Sequence, residues 1–338
     1  MKTSEMIGKK FKYSYTIGKQ SPGGPGFRYP VDLAIDNGDI LFVVNRGSEG
    51  EPCHRISKLT ANEKYIGQFG SYGKGDGQFI WPTSVAIDNK GLVYIADEWL
   101  NRISIYDGGG DLQGKDIGES NFLRKWGIPG HKQGQLGGPA GIAFDTNDNI
   151  YITENLNNRV SKFTKDGEFL NSWGMPGSGQ GQFDGPWGIS IDMHGNVYVA
   201  DWKNDRIQKF TSDGEFMTFI GNPGNSHGCL HLPSDVAVDA DGDIYVADWW
   251  NNKVEIFDPT GIHLDTLVGN STKLSQWAID YLEVNSEDKE ARELVKNPEV
   301  EYLFEMPIAI ETDCEGRIFV VDEIRFRIQI YQKASKGN

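Results

Sequence analysis

The 338-residue sequence has few cysteines, and no two of them have a metal-binding spacing. Its three cysteines are odd in number and form no CxxC pair: Cys53, Cys229 and Cys314. This pattern predicts neither a disulfide framework nor a thiolate zinc site. Long apolar runs are also missing, and the first residues, MKTSEMIGKKFKYSYTIGKQ, lack the apolar segment of a signal peptide. We therefore expect a cytoplasmic protein without a membrane span.

Positive charge is the second scarcity. The chain has 33 Lys and Arg residues against 48 Asp and Glu residues, which gives a formal net charge of −15. Binding to nucleic acid requires clustered Lys and Arg that displace counterions, so nucleic acid is an unlikely partner, and anionic membranes are disfavoured in the same way. The charge is compatible with cations, metals and neutral ligands.

What the sequence does contain is an internal repeat. A proline followed by a short apolar run and an acidic residue recurs six times, at Pro30, Pro82, Pro139, Pro186, Pro233 and Pro307. Pro139, Pro186 and Pro233 are spaced 47 residues apart, and insertions lengthen the other intervals. A period in the forties is typical of propeller blades.

Each copy reads as four short strands. In the fourth copy these are GISI, NVYVA, RIQKF and FMTFIG, separated by turns such as DMHGN and SDG. Asp and Gly accept the backbone angles that tight hairpins require, so each copy is predicted to be an antiparallel meander. Six such units predict an all-β, six-bladed β-propeller in a single domain spanning residues 1–338.

The two chain ends are expected to share one blade. The sixth copy stops after its third strand, at RIQIYQKASKGN, whereas the N-terminal segment KYSYTIGKQ resembles a fourth strand. Pairing of the two ends would close the ring and remove its free edges.

One segment departs from the repeat. Residues 271–305 are rich in Ala, Leu, Glu and Lys and are predicted to form two or three short helices, with Ser286 as an N-cap and Pro298 opening a further turn. This helical insertion lies between blades five and six. We place it on the top face, the face that carries the loops of DWKNDR type.

The blades resemble NHL repeats. The repeat pattern of G-x-A-x-D, a glycine turn, Y-V-A-D, N-x-R and a closing F-G is nearly intact in five copies. The resemblance covers essentially the whole chain and implies the propeller fold. It implies little about function, because this fold carries lyases, lactonases, sensors and adaptor modules.

The recurring acidic residues of the top loops are interpreted as scaffold. Aspartates occupy the same slot in four blades, at Asp97, Asp201, Asp248 and Asp322. A group needed for chemistry is required once, so these side chains are expected to accept backbone N–H bonds and to pair with the Arg or Lys that follows. The motif DADGD at 239–243 lacks the terminal glutamate of a calcium loop and is interpreted as a hairpin turn.

Function is expected where the blades differ. The second residue after each opening proline should face the central channel: Asp32, Ser84, Gly141, Gly188, Asp235 and Ala309. Two roles are open for Asp32 and Asp235. Their carboxylates either accept hydrogen bonds from backbone amides, or serve as catalytic acid and base and as metal ligands. His54 and His231 lie in top loops near them and are candidate proton carriers or secondary ligands. The predicted metal is a divalent cation, calcium or zinc, held by Asp32, Asp235 and His231.

Five further residues are predicted to contact a ligand. Arg46 and Arg325 would orient an anionic group, and Trp81, Trp187 and Trp249 would form the walls of the site. The site is thus expected on the top face, near blades five, six and one.

Two function classes stay open. The first is a metal-assisted hydrolase or lyase. The chain is distantly similar to six-bladed lactonases and to peptidyl-α-hydroxyglycine α-amidating lyase, and the latter resemblance implies zinc-binding histidines next to the opening prolines. Those positions hold no histidine here: Val31, Thr83, Ala140, Trp187, Ser234 and Ile308. The second class is a non-catalytic propeller that binds a protein partner or senses a ligand. An insertion that covers a pocket would favour a small molecule, and an open top face would favour a partner.

Overall fold

Six four-stranded antiparallel sheets surround a central channel in the computed structural model, which describes residues 10–36, 39–48, 50–109 and 120–334. The first strand of each sheet contacts the first strands of both neighbouring sheets, and the first strand of blade six contacts that of blade one. The sheets therefore form a closed ring. This arrangement confirms the predicted six-bladed β-propeller.

The blades follow one another along the chain. Blades one to three consist of the strands Pro30–Ile35, Ile40–Asn45, Arg55–Thr60 and Tyr65–Phe69; Pro82–Ile87, Val93–Asp97, Arg102–Tyr106 and Phe122–Trp126; and Pro139–Phe144, Asn149–Glu154, Arg159–Thr164 and Phe169–Trp173. Blades four to six consist of Pro186–Ile191, Val197–Asp201, Arg206–Phe210 and Phe216–Ile220; Asp235–Val238, Ile244–Asp248, Lys253–Phe257 and His263–Leu267; and Pro307–Thr312, Arg317–Asp322, Arg327–Lys333 and Phe11–Ile17.

The N-terminal strand closes the ring. Phe11–Ile17 pairs antiparallel with Arg327–Lys333 and is the outermost strand of blade six. Phe11 and Ile17 are buried, so the strand contributes to the core as well as to the sheet. The expected pairing of the two chain ends is confirmed.

The connections between blades share a buried anchor. In three of them a short parallel strand pair forms before the next blade: Ser71–Tyr72 with Gln78–Phe79, Met175–Pro176 with Gln182–Phe183, and Asn222–Pro223 with Cys229–Leu230. An apolar residue at the end of each connection is almost fully buried: Phe27, Phe79, Leu136, Phe183, Leu230 and Phe304. Together with the second-strand tyrosines these side chains fill the space between blades.

The insertion contains two helices, α1 (Gln276–Val284) and α2 (Ser286–Glu293), followed by a 3₁₀ turn at Pro298–Tyr302. Ser275 caps α1 by accepting a hydrogen bond from the Ala278 N–H. The predicted cap Ser286 is instead the first residue of α2, whose N-cap position is Asn285.

The helix α1 packs at the outer side of the seam between blades six and one. Trp277 packs edge-on against Phe27 and Tyr65, with ring centroids 5.8 and 6.3 Å away. The Gln276 N–H donates to Glu63, which also accepts from the Gly18 N–H. The insertion therefore braces the closing seam of the ring.

No helix in the described ranges has the length and apolar character that a membrane crossing needs.

A buried lysine links the closing strands to blade five. Lys333 Nζ lies 2.8 Å from the carboxylates of Asp241 and Asp243 and also contacts Asp239. These aspartates form the first hairpin of blade five, the turn that the DADGD motif predicts. The side chain of Lys333 is 8% exposed, so the ion pairs are only weakly screened by water.

We expect Lys333→Met to reduce the free energy of unfolding by about 3 kcal/mol, because the substitution leaves the buried Asp239 carboxylate without its cation, while Asp243 keeps its ion pair with Lys10. Urea denaturation monitored by circular dichroism measures the change. Lys12→Met, on an exposed position of the same sheet, is the matched control and should change stability by less than about 0.5 kcal/mol. Equal stability of the two variants would show that Lys333 does not stabilise the contact between the closing strands and blade five.

Candidate functional site

The loops between second and third strands are held by buried polar side chains. The Asp201 carboxylate accepts hydrogen bonds from the Asp184 N–H (2.9 Å) and from Arg206 Nε (2.8 Å). After it, Trp202–Asn204 forms a 3₁₀ turn that ends at Asp205 in the left-handed conformation. The equivalent side chains of the other blades are also buried: Asn45, Asp97, Glu154, Asp248 and Asp322. These residues have the scaffold role that their repetition predicts.

The residues that directly follow these side chains lie around the mouth of the channel. We call them the mouth ring: Arg46, Glu98, Asn155, Trp202, Trp249 and Glu323. Neighbouring members touch, since Asn155 Nδ2 donates to Glu98 Oε1 (3.0 Å) and the rings of Trp202 and Trp249 lie 6.3 Å apart. The scaffold residue and the mouth residue are adjacent in sequence, so each blade presents one variable side chain to the mouth.

A pocket of about 230 Å³ opens within the mouth ring. It is lined by Arg46, Trp187, Trp202, Ser234, Trp249, Ile308 and Glu323. Trp187 and Trp202 have ring centroids 5.8 Å apart, so three indoles form a continuous aromatic wall on the side of blades four and five. Blades six and one supply the charged side. The pocket therefore joins an apolar wall to a polar one.

Arg46 is a buried cation on the charged side of this pocket. The residue is 9% exposed, and its guanidinium stacks 4.7 Å from the centre of the Trp81 ring. Within the part of the chain that the structure describes, no side-chain hydrogen bond or ion pair reaches the guanidinium. Burial lowers the pKa of Arg46, whereas the charges of Glu323 and Glu98 raise it. Its N–H donors are thus left for water or a ligand.

Glu323 is the acid of the pocket. Burial raises the pKa of its carboxyl group, and Arg46 and the nearby Trp249 indole act in the opposite direction. The buried Trp249 N–H lies near this carboxyl group, although no acceptor among the described residues meets normal hydrogen-bond geometry. The pocket therefore combines one cation, one acid and an indole N–H beside that acid.

The channel below the pocket is narrow. Its cavity of about 50 Å³ is large enough for a few water molecules and too small for an organic ligand. All six positions predicted to face the channel line it, including Asp32 and Asp235. Trp187 and Ile308 line both the channel and the pocket, so they separate the two spaces.

Asp32 and Asp235 each bind the backbone of the next blade. Asp32 Oδ2 accepts from the Val85 N–H (2.8 Å), and Asp235 Oδ2 accepts from the Ile310 N–H (2.9 Å). This is the structural alternative left open by the sequence, in which the carboxylates accept backbone amides. The geometry does not test a catalytic role, which stays a prediction.

Burial also shifts the titration of the channel acids. Desolvation raises the pKa of Asp32 to about 7 and that of Glu311, a third channel acid, to about 7. Desolvation and then the charge of Asp32 raise the pKa of Asp235. Three carboxyl groups that retain protons near neutrality therefore face one small cavity.

The two predicted histidines lie outside the pocket lining. His231 Nδ1 lies 3.0 Å from Asp205, and its ring packs edge-on against Trp250. His54 is buried beside Tyr72, and its Nδ1 has no hydrogen-bond partner in the described ranges. Burial, reinforced by the charge of Arg46, lowers the pKa of His54, so the ring is neutral at neutral pH. Their predicted roles as proton carriers gain no support from these positions.

Of the predicted ligand-binding residues, three line the pocket: Arg46, Trp187 and Trp249. Trp81 lies behind Arg46 and supports its guanidinium. Arg325 points away, because it donates to the Val300 carbonyl of the insertion and pairs with Glu305.

The described side chains do not fit the predicted metal. No three His, Cys, Asp or Glu side chains in these ranges are grouped to hold an ion. Asp32 and Asp235 already accept amide hydrogens, and His231 is engaged by Asp205 at the top surface. A cation shared by these three residues stays a prediction without geometric support.

Sequence reasoning missed three acids, Glu98, Glu323 and Glu311. The sequence contained a signal for Glu98 and Glu323, since each directly follows one of the repeated aspartates. Arg46, which occupies the same position in blade one, was recognised as unusual. Glu311 replaces the small or apolar residue found near the end of the other first strands, as in GISI and DVAV. Comparing every slot across all six copies would have found all three.

The ring of sheets, the repeated loop anchors and the aromatic mouth define a six-bladed β-propeller, three blades of which contain NHL repeats. The NHL repeat family model matches residues 136–163, 183–210 and 230–257, in blades three, four and five. The match confirms the resemblance seen in the sequence.

Among curated proteins the chain is similar to NHL repeat-containing protein 3 of Homo sapiens. The two are 30% identical over 132 residues, which is 39% of this chain and 33% of the relative. The corresponding protein of Mus musculus is 27% identical over 144 residues, 42% of this chain and 37% of the relative. The chain thus matches little more than a third of the length of these relatives.

Solved structures share the fold at low identity. A streptogramin B lyase structure superimposes with a TM-score of 0.58 and 13% identity, covering 96% of this chain and 98% of the lyase. A chain of a nidogen/laminin complex superimposes with a TM-score of 0.53 and 17% identity, covering 76% of this chain and 92% of that one. At such identities the likeness concerns architecture alone.

Proposed function

We propose that this NHL propeller binds a small ring-bearing molecule in the pocket at the mouth of its channel. The observation that carries the proposal is the continuous wall of Trp187, Trp202 and Trp249 facing the buried Arg46. Ligand sites in proteins combine apolar walls with a few placed polar groups, as this pocket does. Offset or edge-on contacts with indoles favour planar rings.

The size of the pocket limits its ligand. A volume of about 230 Å³ lies below the range of roughly 300–1,000 Å³ that drug-sized ligands occupy. One or two fused rings with a short polar substituent suit this space. The insertion lines no part of the pocket, so access from solvent does not require its movement. Hydrolysis or elimination at this site stays a prediction from the sequence.

Substitution of one wall tests the proposal. We expect Trp202→Ala to weaken binding of two-ring probes, such as indole-3-acetate and tryptamine, by about 10-fold, because an aromatic stacking contact contributes about 1.4 kcal/mol. Isothermal titration calorimetry measures the affinities. Trp99→Ala is the matched control, since Trp99 is 68% exposed in a top loop and outside the pocket. No binding by the wild type, or equal losses in both variants, would contradict the proposal.

Binding of a protein partner is the second candidate function. The residues one position beyond the mouth ring include three exposed apolar side chains of the top face: Trp99, Leu156 and Trp250. The insertion contacts the top loop of blade six through Arg325, and exposed aromatic side chains such as Trp99 and Trp250 are enriched in protein–protein interfaces. Trp99→Ala would then weaken partner capture while leaving small-probe affinity unchanged.

A further inference from the structure

We infer that the ligand of the mouth pocket carries a carboxylate, which Arg46 binds through two parallel hydrogen bonds while the ring of the ligand lies against the tryptophan wall. This inference rests on the proposed function and names the chemical class of its ligand.

The first step is the state of Arg46. A guanidinium has five N–H donors, which require acceptors from water, the protein or a ligand. Arg46 is 9% exposed and lines the pocket, yet no described side chain hydrogen-bonds or ion-pairs with it. The arginines that follow the loop anchors differ, since Arg206 pairs with Asp201 and Arg55, its counterpart in blade one, donates to backbone carbonyls. Arg46 instead occupies the mouth-ring position that Trp202 holds in blade four.

The second step is the orientation of the guanidinium. The guanidinium carbon lies over the Trp81 ring, 4.7 Å from its centre, so the indole covers one side of the group and the remaining sides are available to the pocket. A planar carboxylate matches two guanidinium N–H groups at once, whereas a neutral carbonyl accepts fewer charge-assisted bonds.

The third step is the charge of the ligand. Aromatic walls also suit organic cations, and Glu98 and Glu323 would attract one. However, Glu98 is engaged by the Asn155 amide, and Arg46 lies on the wall that a cation would have to approach. Glu323 is the one carboxyl group among the lining residues, and burial raises its pKa, whereas Arg46 brings five N–H donors, so the pocket can take a further acceptor. We therefore assign it an anionic, ring-bearing ligand and not an aromatic amine.

Three indole probes with different substituents test the inference: indole-3-acetate, indole-3-acetamide and tryptamine. We expect the wild-type protein to bind the carboxylate about 10-fold more tightly than the amide, with the amine weakest. Arg46→Met should reduce carboxylate affinity about 30-fold and change amide affinity by less than about 3-fold. Arg46→Lys keeps the positive charge but lacks the two parallel N–H donors of a guanidinium, and should reduce carboxylate affinity about 10-fold.

Two further variants make the test specific. Glu323→Gln removes a negative charge beside Arg46 and should strengthen carboxylate binding about 3-fold. Lys74→Met removes an exposed cation of a connection between blades, outside the pocket lining, and should change affinity by less than about 2-fold. Thermal denaturation of each variant checks that it is folded. If Arg46→Met does not fold, the affinities of Arg46→Lys still test the inference.

The outcomes separate the inference from the proposed function. Preference for tryptamine, or carboxylate affinity that Arg46→Met and Arg46→Lys leave unchanged, overturns the inference, while sensitivity to Trp202→Ala keeps the pocket as the binding site. Absence of binding by all three probes overturns both. The ordered loss across wild type, Arg46→Lys and Arg46→Met supports the carboxylate class.

Discussion

Deletion of residues 1–17 is expected to abolish the cooperative unfolding of this protein or to destabilise it by about 5 kcal/mol or more. The deletion removes the outermost strand of blade six, Phe11–Ile17, including the buried side chains of Phe11 and Ile17. Loss of one buried aromatic side chain alone costs about 3–5 kcal/mol. It also leaves the edge of Arg327–Lys333 unpaired, which favours aggregation.

Differential scanning calorimetry of two truncations measures this effect. A deletion of residues 1–9 retains the strand and is the matched control, with a melting temperature expected to lie close to that of the full chain. Size-exclusion chromatography of the longer truncation should show oligomers formed through the open edge. A melting temperature unchanged by the longer deletion would contradict closure of the ring by the N-terminal strand.

Stability is expected to fall as pH rises from 5 to 8. The acids of the channel have folded pKa values of about 7 for Asp32 and about 7 for Glu311, above their ordinary values of 3.8 and 4.5. Between the unfolded and folded pKa values the native state binds more protons than the unfolded state. Their stabilising contribution is therefore complete below the unfolded pKa and is lost as pH rises through about 7.

The size of the effect follows from linkage. Within this window one group changes the free energy of unfolding by up to about 1.4 kcal/mol per pH unit. Ionisation of Asp32 and Glu311 together should therefore lower the free energy of unfolding by about 2–4 kcal/mol between pH 5 and pH 7. Burial also raises the pKa of Asp235 and of the loop aspartates Asp97 and Asp201, which acts in the same direction.

Urea denaturation at pH 5, 6, 7 and 8 measures the slope. In the double variant Asp32→Asn, Glu311→Gln the slope should be reduced by at least half, whatever the absolute stability of that variant. A wild-type stability that stays level or increases with pH over this range would show that the channel acids ionise normally in the folded protein.

The fold could be predicted from the sequence because its determinants are local and repeated. The spacing of Pro139, Pro186 and Pro233, together with the hairpin turns, sets strand number and blade size. Closure could be predicted as well, since a missing fourth strand in the sixth copy matches a surplus strand at the N-terminus.

The site could be predicted only in part. Alternation along the first strand correctly places Asp32 and Asp235 in the channel, and comparison of copies singles out Arg46. The partners of His231 and Arg325, however, come from neighbouring elements, Asp205 of the preceding blade and Glu305 of the insertion. Such contacts depend on the packing of whole blades, which no local pattern encodes.

The position of the insertion shows the same limit. Its composition predicts helices, but α1 is placed by the contacts of Trp277 with Phe27 and Tyr65, more than two hundred positions away along the chain. The sequence puts the insertion on the loop side of the propeller, and its contacts place α1 at the seam between blades six and one, which its composition does not indicate.

The mouth ring has a consequence for how such a propeller can change its ligand. In each loop the side chain that holds the fold and the side chain that lies at the mouth are consecutive residues, as in Asp201 and Trp202. Replacing the second leaves the hydrogen bonds of the first in place. The six positions of the mouth ring, one in each blade, can therefore be substituted one at a time to change ligand specificity while the ring keeps its fold.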